Sequence, residues 1–189
     1  MNEVWQDKIP PQDIEAEQAV LGAIFLDSDT LIDAMEIVTP RSFYRRSHQI
    51  IFQSMIQLSN RGEAIDLVTL KAEIEKSNAL EDIGGISYLS ELSQSTPSSA
   101  SVSYYAKIVD DKSLLRQLIQ TANQIVVKSF EQGEEVQAIV DEAERSILEV
   151  SEKRNSTGFQ SIADVLNQSI ETIDRLAQNN EEITGLPTG

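Results

Sequence analysis

The chain has 189 residues, 40% of them hydrophobic and 5% aromatic, and carries a formal net charge of −16 from 31 acidic and 15 basic side chains. That size and apolar content suit one sizeable domain or a domain plus an appendage, and the scarcity of aromatics favours helices over a sandwich or barrel. The absence of cysteine excludes disulfides and thiolate metal sites, the charge opposes binding to a bare polyanion, and no apolar run approaches the ~20 residues of a membrane span. With no basic-then-apolar signal at the N-terminus, the expectation is a soluble protein of a reducing cytoplasm.

Residues 1–12 are polar and include Pro10 and Pro11, the mark of an extended arm. Asp13 is a suitable N-cap for a helix from Ile14 to Leu26, with Ile14, Leu21 and Phe25 on one face and Val20 and Ile24 beside it. Gly22 inside that helix costs ~1 kcal/mol relative to alanine, which predicts a close helix crossing there. Asp27-Ser28-Asp29 ends this helix and caps a second one to about Val38. Thr39-Pro40 is predicted to open a third, with proline at the first helical position. It continues through Phe43, Ile50, Ile51, Met55 and Leu58 to a stop at Asn60-Arg61-Gly62. Asp66 caps a fourth helix to about Lys76, residues 78–85 form a turn-rich connection, and Ile86 to Ser95 form a short fifth helix. These elements make a helical head over about residues 13–100.

Residues 101–152 read as two long helices folded back on each other about Gly133, a break whose glycine suits a helix end. In the first, Tyr104, Ile108, Leu115, Leu118, Ala122, Ile125 and Phe130 recur at mostly three- or four-residue steps. In the second, Val136, Val140, Ala143, Ile147 and Val150 repeat like a coiled-coil seam. These two rows are expected to meet inside the hairpin. Leu114, Ile119, Val126 and Val127 widen the first stripe beyond what one seam needs, so a further surface must cover it. The head could do so, but a second copy of the hairpin is the reading adopted. The residues assigned to self-association are Leu114, Leu115, Leu118, Ile119, Ala122 and Val126.

Lys153 to Gly158 is a linker by composition. Beyond it, a capping-box-like Ser161-Ile162-Ala163-Asp164 opens an amphipathic helix over about 161–178. Its face of Ile162, Leu166, Ile173 and Leu176 is expected to dock on another subunit, because a helix this short is marginal alone in water.

Catalytic chemistry is hard to build from these residues. His48 is the single histidine, so no catalytic triad or multi-histidine metal site is possible, and a packed or surface role is the plain reading. Asp13, Glu15 and Glu17 fit the acidic start of a helix. Glu134, Glu135, Asp141, Glu142 and Glu144 fit a solvated helix face and lack calcium-loop spacing. Gly84-Gly85 is a structural turn, since no lysine follows it, and Gly185-Leu186-Pro187-Thr188-Gly189 is not a phosphate-binding loop. Neither an active site nor a cofactor site is expected in this segment. Arg41, Arg45 and Arg46 form its one dense basic cluster.

The run from Pro10 to Ala23, PPQDIEAEQAVLGA, resembles the opening signature of bacterial replicative DNA helicases of the DnaB type. Phe43-Tyr44 with His48-Gln49-Ile50-Ile51-Phe52, Asp66-Leu67-Val68-Thr69, and Gly84-Gly85-Ile86-Ser87-Tyr88-Leu89 follow in the same order as in that family. Tyr104 to Val109 falls where the family's hairpin begins, and Ile183 to Gly189 resembles the junction into its RecA-like motor. Arg41-Ser42 departs from the pattern, where an acidic pair is more usual. The resemblance implies an all-α architecture of helical head, antiparallel hairpin and separate linker helix. It further implies a collar over a hexameric motor, often a trimer of dimers, that docks a DnaG-type primase and a helicase loader at the replication fork of the nucleoid. The motor, which would bind ATP, magnesium and DNA, is expected to lie outside residues 1–189, with the linker helix packed on a neighbouring subunit's motor. A free-standing helical adaptor that never carried a motor is the competing expectation.

Overall fold

A computed structural model describes residues 9–96, 98–130 and 135–156, and among them every regular element is a helix. The head is organised around α1 (Ile14–Leu26), which packs against four of the other helices. Asp13 starts it, its carboxylate accepting the N–H of Ala16 at 3.0 Å and so satisfying one of the donors a helix start leaves unpaired. Val20, Leu21, Ala23 and Ile24 are all fully buried. Around them lie α2 (Thr30–Met35), α3 (Arg46–Asn60), α4 (Leu67–Lys76) and α5 (Gly85–Gln94), contributing Leu31, Phe52, Met55, Leu70, Ile74, Leu89 and Leu92 to one continuous core.

Gly22 marks a crossing, as its position predicts. A Cβ there would lie 2.5 Å from Ser95 Oγ and 2.9 Å from the Leu92 carbonyl oxygen, so any side chain would push α1 off the end of α5. Asp66 builds the fourth cap: its Oδ1 accepts from Val68 at 2.8 Å and Thr69 at 2.9 Å, while Thr69 Oγ1 accepts the Asp66 N–H at 3.0 Å.

The expected second and third helices differ from those observed. α2 stops at Met35 rather than near Val38. Residues 40–42 form a single 3-10 turn, Phe43 and Arg45 are extended with ψ of 140° and 129°, and α3 starts only at Arg46. The physical reason lies in α1. The Glu17 carboxylate accepts the N–H of Tyr44 at 2.6 Å and of Arg45 at 3.4 Å, which draws this stretch of backbone out of a helical ladder. Phe43 turns inward, 1% exposed, and packs on Phe52 with ring centroids 4.9 Å apart.

α6 (Val102–Phe130) starts inside the head, where Val102, Ala106 and Val109 join its core, and then leaves it. α7 (Val136–Ser156) packs back along it, and a Lys128–Glu142 ion pair ties the end of α6 to the start of α7, as an antiparallel pair requires. α7 continues past residue 152 to Ser156. Head and hairpin belong to one compact unit. The break at residues 131–134, and the linker with its helix face of Ile162, Leu166, Ile173 and Leu176, lie outside the described residues.

The seam follows the apolar rows only in part. Tyr104, Leu115, Leu118 and Phe130 of α6, and Val136, Val140 and Ile147 of α7, are exposed in the single chain. Of the expected rows, Val150 is buried and Ile125 and Ala143 are half-buried, while outside them Ser113 and Thr121 on α6 are buried and Ile139 and Ser146 on α7 half-buried. Anchoring Val102, Ala106 and Val109 in the head fixes the rotation of α6. The inner face then continues through residues 113, 117, 121 and 128 at helical spacing. That face is polar, and most of the bulky apolar row is left outward.

Candidate functional site

Three features converge on α6: a clasp at its base, a buried polar network beneath that clasp, and an apolar face farther out. The clasp is Arg116. Its guanidinium donates to the carbonyl oxygen of Pro11 at 2.7 Å and to that of Ser42, and lies over the Tyr44 ring, 5.6 Å from its centroid. One side chain thus joins the hairpin to the N-terminal arm and to the turn before α3. Burial lowers the Arg116 pKa, an effect opposed by the nearby negative charge of Glu17.

The network is built from Glu17, His48, Tyr88 and Gln18. Glu17 is 1% and His48 0% exposed. His48 Nδ1 lies 2.6 Å from Glu17 Oε2, His48 Nε2 lies 2.6 Å from the Tyr88 hydroxyl, and Gln18 Nε2 donates to that hydroxyl at 3.2 Å. A neutral imidazole satisfies every partner: Nδ1–H donates to the carboxylate, and the Tyr88 O–H donates to Nε2. With Tyr44 and Arg45 also donating to Glu17, the buried carboxylate is surrounded by donors, and no described buried side-chain polar atom lacks a partner. Sequence reasoning read Glu17 as a helix-dipole residue. The signal that could have found its role was a carboxylate on the same face as the buried Val20, Leu21 and Ile24. The network ties α1, α3 and α5 together, and only its Tyr88 end borders a surface depression. Among the described residues no group of acidic or histidine side chains could hold a metal ion.

The open feature is the outer face of α6. Leu115, Ile119, Ala122 and Val126 follow one another at steps of four and three, on the side of the helix away from Ser113 and Thr121. Leu118 stands beside them. Leu115 is 45%, Ile119 49% and Val126 52% exposed, and Ala122 and Leu118 are exposed as well. Leu114, at the edge of this row, is half-buried. Val127 and Phe130, with Val140, Ile147 and Leu148 of α7, extend the exposed apolar surface. Contiguous exposed apolar rows of this kind mark interaction surfaces more often than isolated apolar residues do.

Residues 9–111 match the family described as the DnaB-like helicase N terminal domain. The chain belongs to this family. Its similarity reaches beyond the matched segment: it is 50% identical over 189 residues to the Replicative DNA helicase DnaB of Geobacillus stearothermophilus, covering all of this chain and 42% of that protein. The chain therefore spans less than half the length of that relative. Among solved structures, the N-terminal domain of DnaB helicase from Mycobacterium tuberculosis superposes with a TM-score of 0.71 at 38% identity, over 75% of this chain and 99% of that one. A DnaB-like replicative helicase solved for its interactions with primase superposes with a TM-score of 0.63 at 24% identity, over 94% of this chain and 38% of that one, a likeness of fold. The DnaB-type opening read between Pro10 and Ala23 thus falls inside the matched segment, and the all-α class is the one these neighbours share. None of the described helices is long and apolar enough to cross a membrane.

Proposed function

We propose that this chain is the assembly and protein-interaction region of a hexameric replicative DNA helicase, in which hairpins pair as dimers and the heads form a collar that docks primase and loader. The observation that carries the reading is the exposed row Leu115, Ile119, Ala122 and Val126, flanked by Leu118 and Leu114, on a helix whose other side is already occupied. Membership of the DnaB-like family supports it, as does the primase interaction for which a structural neighbour was solved. ATP, magnesium and DNA would be handled by a RecA-like motor, for which these residues supply positioning rather than chemistry. A stable pair of chains buries roughly 1,200–2,000 Å². On α6 (29 residues) the row from Leu115 to Val126 runs ~17 Å along the axis, and exposed Val127, Phe130, Val140, Ile147 and Leu148 add to the surface available.

Changing Ile119 and Val126 together to glutamate places two charges in that contact while sparing the inner face. The double variant should raise the dissociation constant for self-association by about a hundredfold or more at unchanged helicity. Sedimentation showing the variant associating like the parent would remove the hairpin as the interface. The segment 161–178, with Ile162, Leu166, Ile173 and Leu176 on one face by sequence, is proposed to dock on a neighbouring subunit's motor. Hydrogen exchange there should slow when motor domains are added. Full protection in the dilute fragment would instead mean docking on its own unit.

A further inference from the structure

The basic cluster is unused by the function above, and the structure divides it. Arg41, on the turn before α3, and Arg46, at the start of α3, line an open groove of about 480 Å³ with Lys76 at the end of α4. Gln49, Gln53 and Gln57 form one wall, one helical turn apart. Arg45 faces away and lines a separate depression with Asp82 and Glu91.

In this chain of 31 acidic and 15 basic side chains, Arg61, Lys71, Lys76 and Lys128 each pair with a carboxylate. Arg41 and Arg46 do not: neither forms an ion pair among the described residues, and Arg46 donates to the Gln49 side-chain oxygen at 3.2 Å. The groove's own carboxylate, Glu73, is taken by Lys76 at 2.7 Å and Arg61 at 2.6 Å. Two arginines thus line a groove whose one carboxylate is already paired and whose acceptor for Arg46 is the neutral Gln49 side chain, on a molecule otherwise negative.

We propose that this groove is a docking site for a short acidic peptide segment of a partner protein, its carboxylates held by Arg41 and Arg46 and its backbone by the glutamine wall. The chemistry favours carboxylates because guanidinium groups receive them in bidentate pairs. Glutamine side chains supply both donors and acceptors, as an extended backbone requires. The wall from Gln49 to Gln57 is ~12 Å long, room for about four extended residues. A long nucleic acid is disfavoured, since only a few of its phosphates would meet the arginines while the remainder faced a chain of net charge −16.

The test is fluorescence anisotropy of a labelled hexaglutamate peptide with the whole chain at about 150 mM salt. Saturable one-to-one binding is expected, with hexaglutamine failing to bind. Arg41→Gln and Arg46→Gln should each weaken binding about tenfold. Arg45→Gln, equal in charge change but outside the groove, should stay within about twofold of the parent. Both groove arginines are exposed, so the variants should keep the parent's circular dichroism. Absence of binding to the parent, equal weakening by all three substitutions, or tighter binding of a thymidine oligonucleotide of equal charge would each overturn the proposal.

Discussion

Head and hairpin solve the same packing problem in opposite ways. In the head the large apolar residues are inside, Phe43, Phe52, Leu21 and Ile24 among them, and the buried charge of Glu17 is met by Tyr44, Arg45 and His48. In the outer hairpin the inward positions of α6 hold Ser113 and Thr121, while Leu115, Leu118, Ile119 and Val126 face out. A core of the first kind stabilises one chain by itself. An arrangement of the second kind would gain hydrophobic stabilisation from a covering surface, and under the proposed pairing hairpin stability would depend on concentration. The head thus buries its own apolar core, whereas the hairpin leaves its apolar row uncovered in the single chain.

The sharpest way to break this contrast is to attack the head's buried charge. Glu17→Ala strands His48 Nδ1 and two backbone N–H groups in the core. Leaving a buried donor without its acceptor costs about 1–3 kcal/mol, so with three donors affected denaturant unfolding should show a loss of about 3 kcal/mol or more, whatever the protein concentration. A loss below about 1 kcal/mol would mean that the network is incidental to the head.

The difference between the two regions also explains what the sequence could reveal. Helix starts at Asp13 and Asp66 and the crossing at Gly22 were legible because each rests on a local rule: a carboxylate near free N–H groups, or a missing Cβ where a side chain would clash. The break at residues 43–45 was not legible, because its cause, Glu17, acts across 27 residues of sequence. The hairpin seam misled for another reason. Periodicity finds the apolar face of a helix but does not say which of two partners covers it. The row through Leu115, Leu118 and Ala122 was expected to face α7, yet it stands on the outside. Arg116 gave no signal at all, since a lone arginine reads as surface until Pro11 and Ser42 are seen around it.

A smaller effect separates local from long-range support within the head. The Asp66 carboxyl is held below the usual carboxylate range, chiefly by the Thr69 N–H and also by that of Val68. Arg61 does the same for Glu73 and Glu63. Because these pKa values are depressed in the folded state, their stabilisation is complete above the ordinary carboxylate range. It is lost as pH falls through that range to the lower folded values. Melting temperature should therefore drop on acidification from about pH 6 to about pH 3. Asp66→Ala should cost about 1 kcal/mol near neutrality, the ordinary worth of an N-cap. It should also flatten the acid limb of the curve. An unchanged limb would assign the acid sensitivity to Glu73 and Glu63 instead.

The smallest effect draws the contrast most directly, by comparing one residue type in the two regions. Leu21 is fully buried and Leu118 is 40% exposed. Leu21→Ala should cost about 2–5 kcal/mol, from lost burial plus the cavity left behind. Leu118→Ala removes comparable atoms from a site that is already wet. In dilute monomer it should stay within about 0.5 kcal/mol of the parent, and leucine's small advantage in helix propensity over other residues is not at stake when alanine replaces it. At concentrations where chains associate, the same substitution should lower the apparent stability, because the paired state then loses apolar contact. Denaturant midpoints measured across a hundredfold range of concentration distinguish the two regimes. A Leu118→Ala penalty that is large in the monomer and flat with concentration would mean that the outer row is covered within the chain, and the contrast between head and hairpin would fall with it.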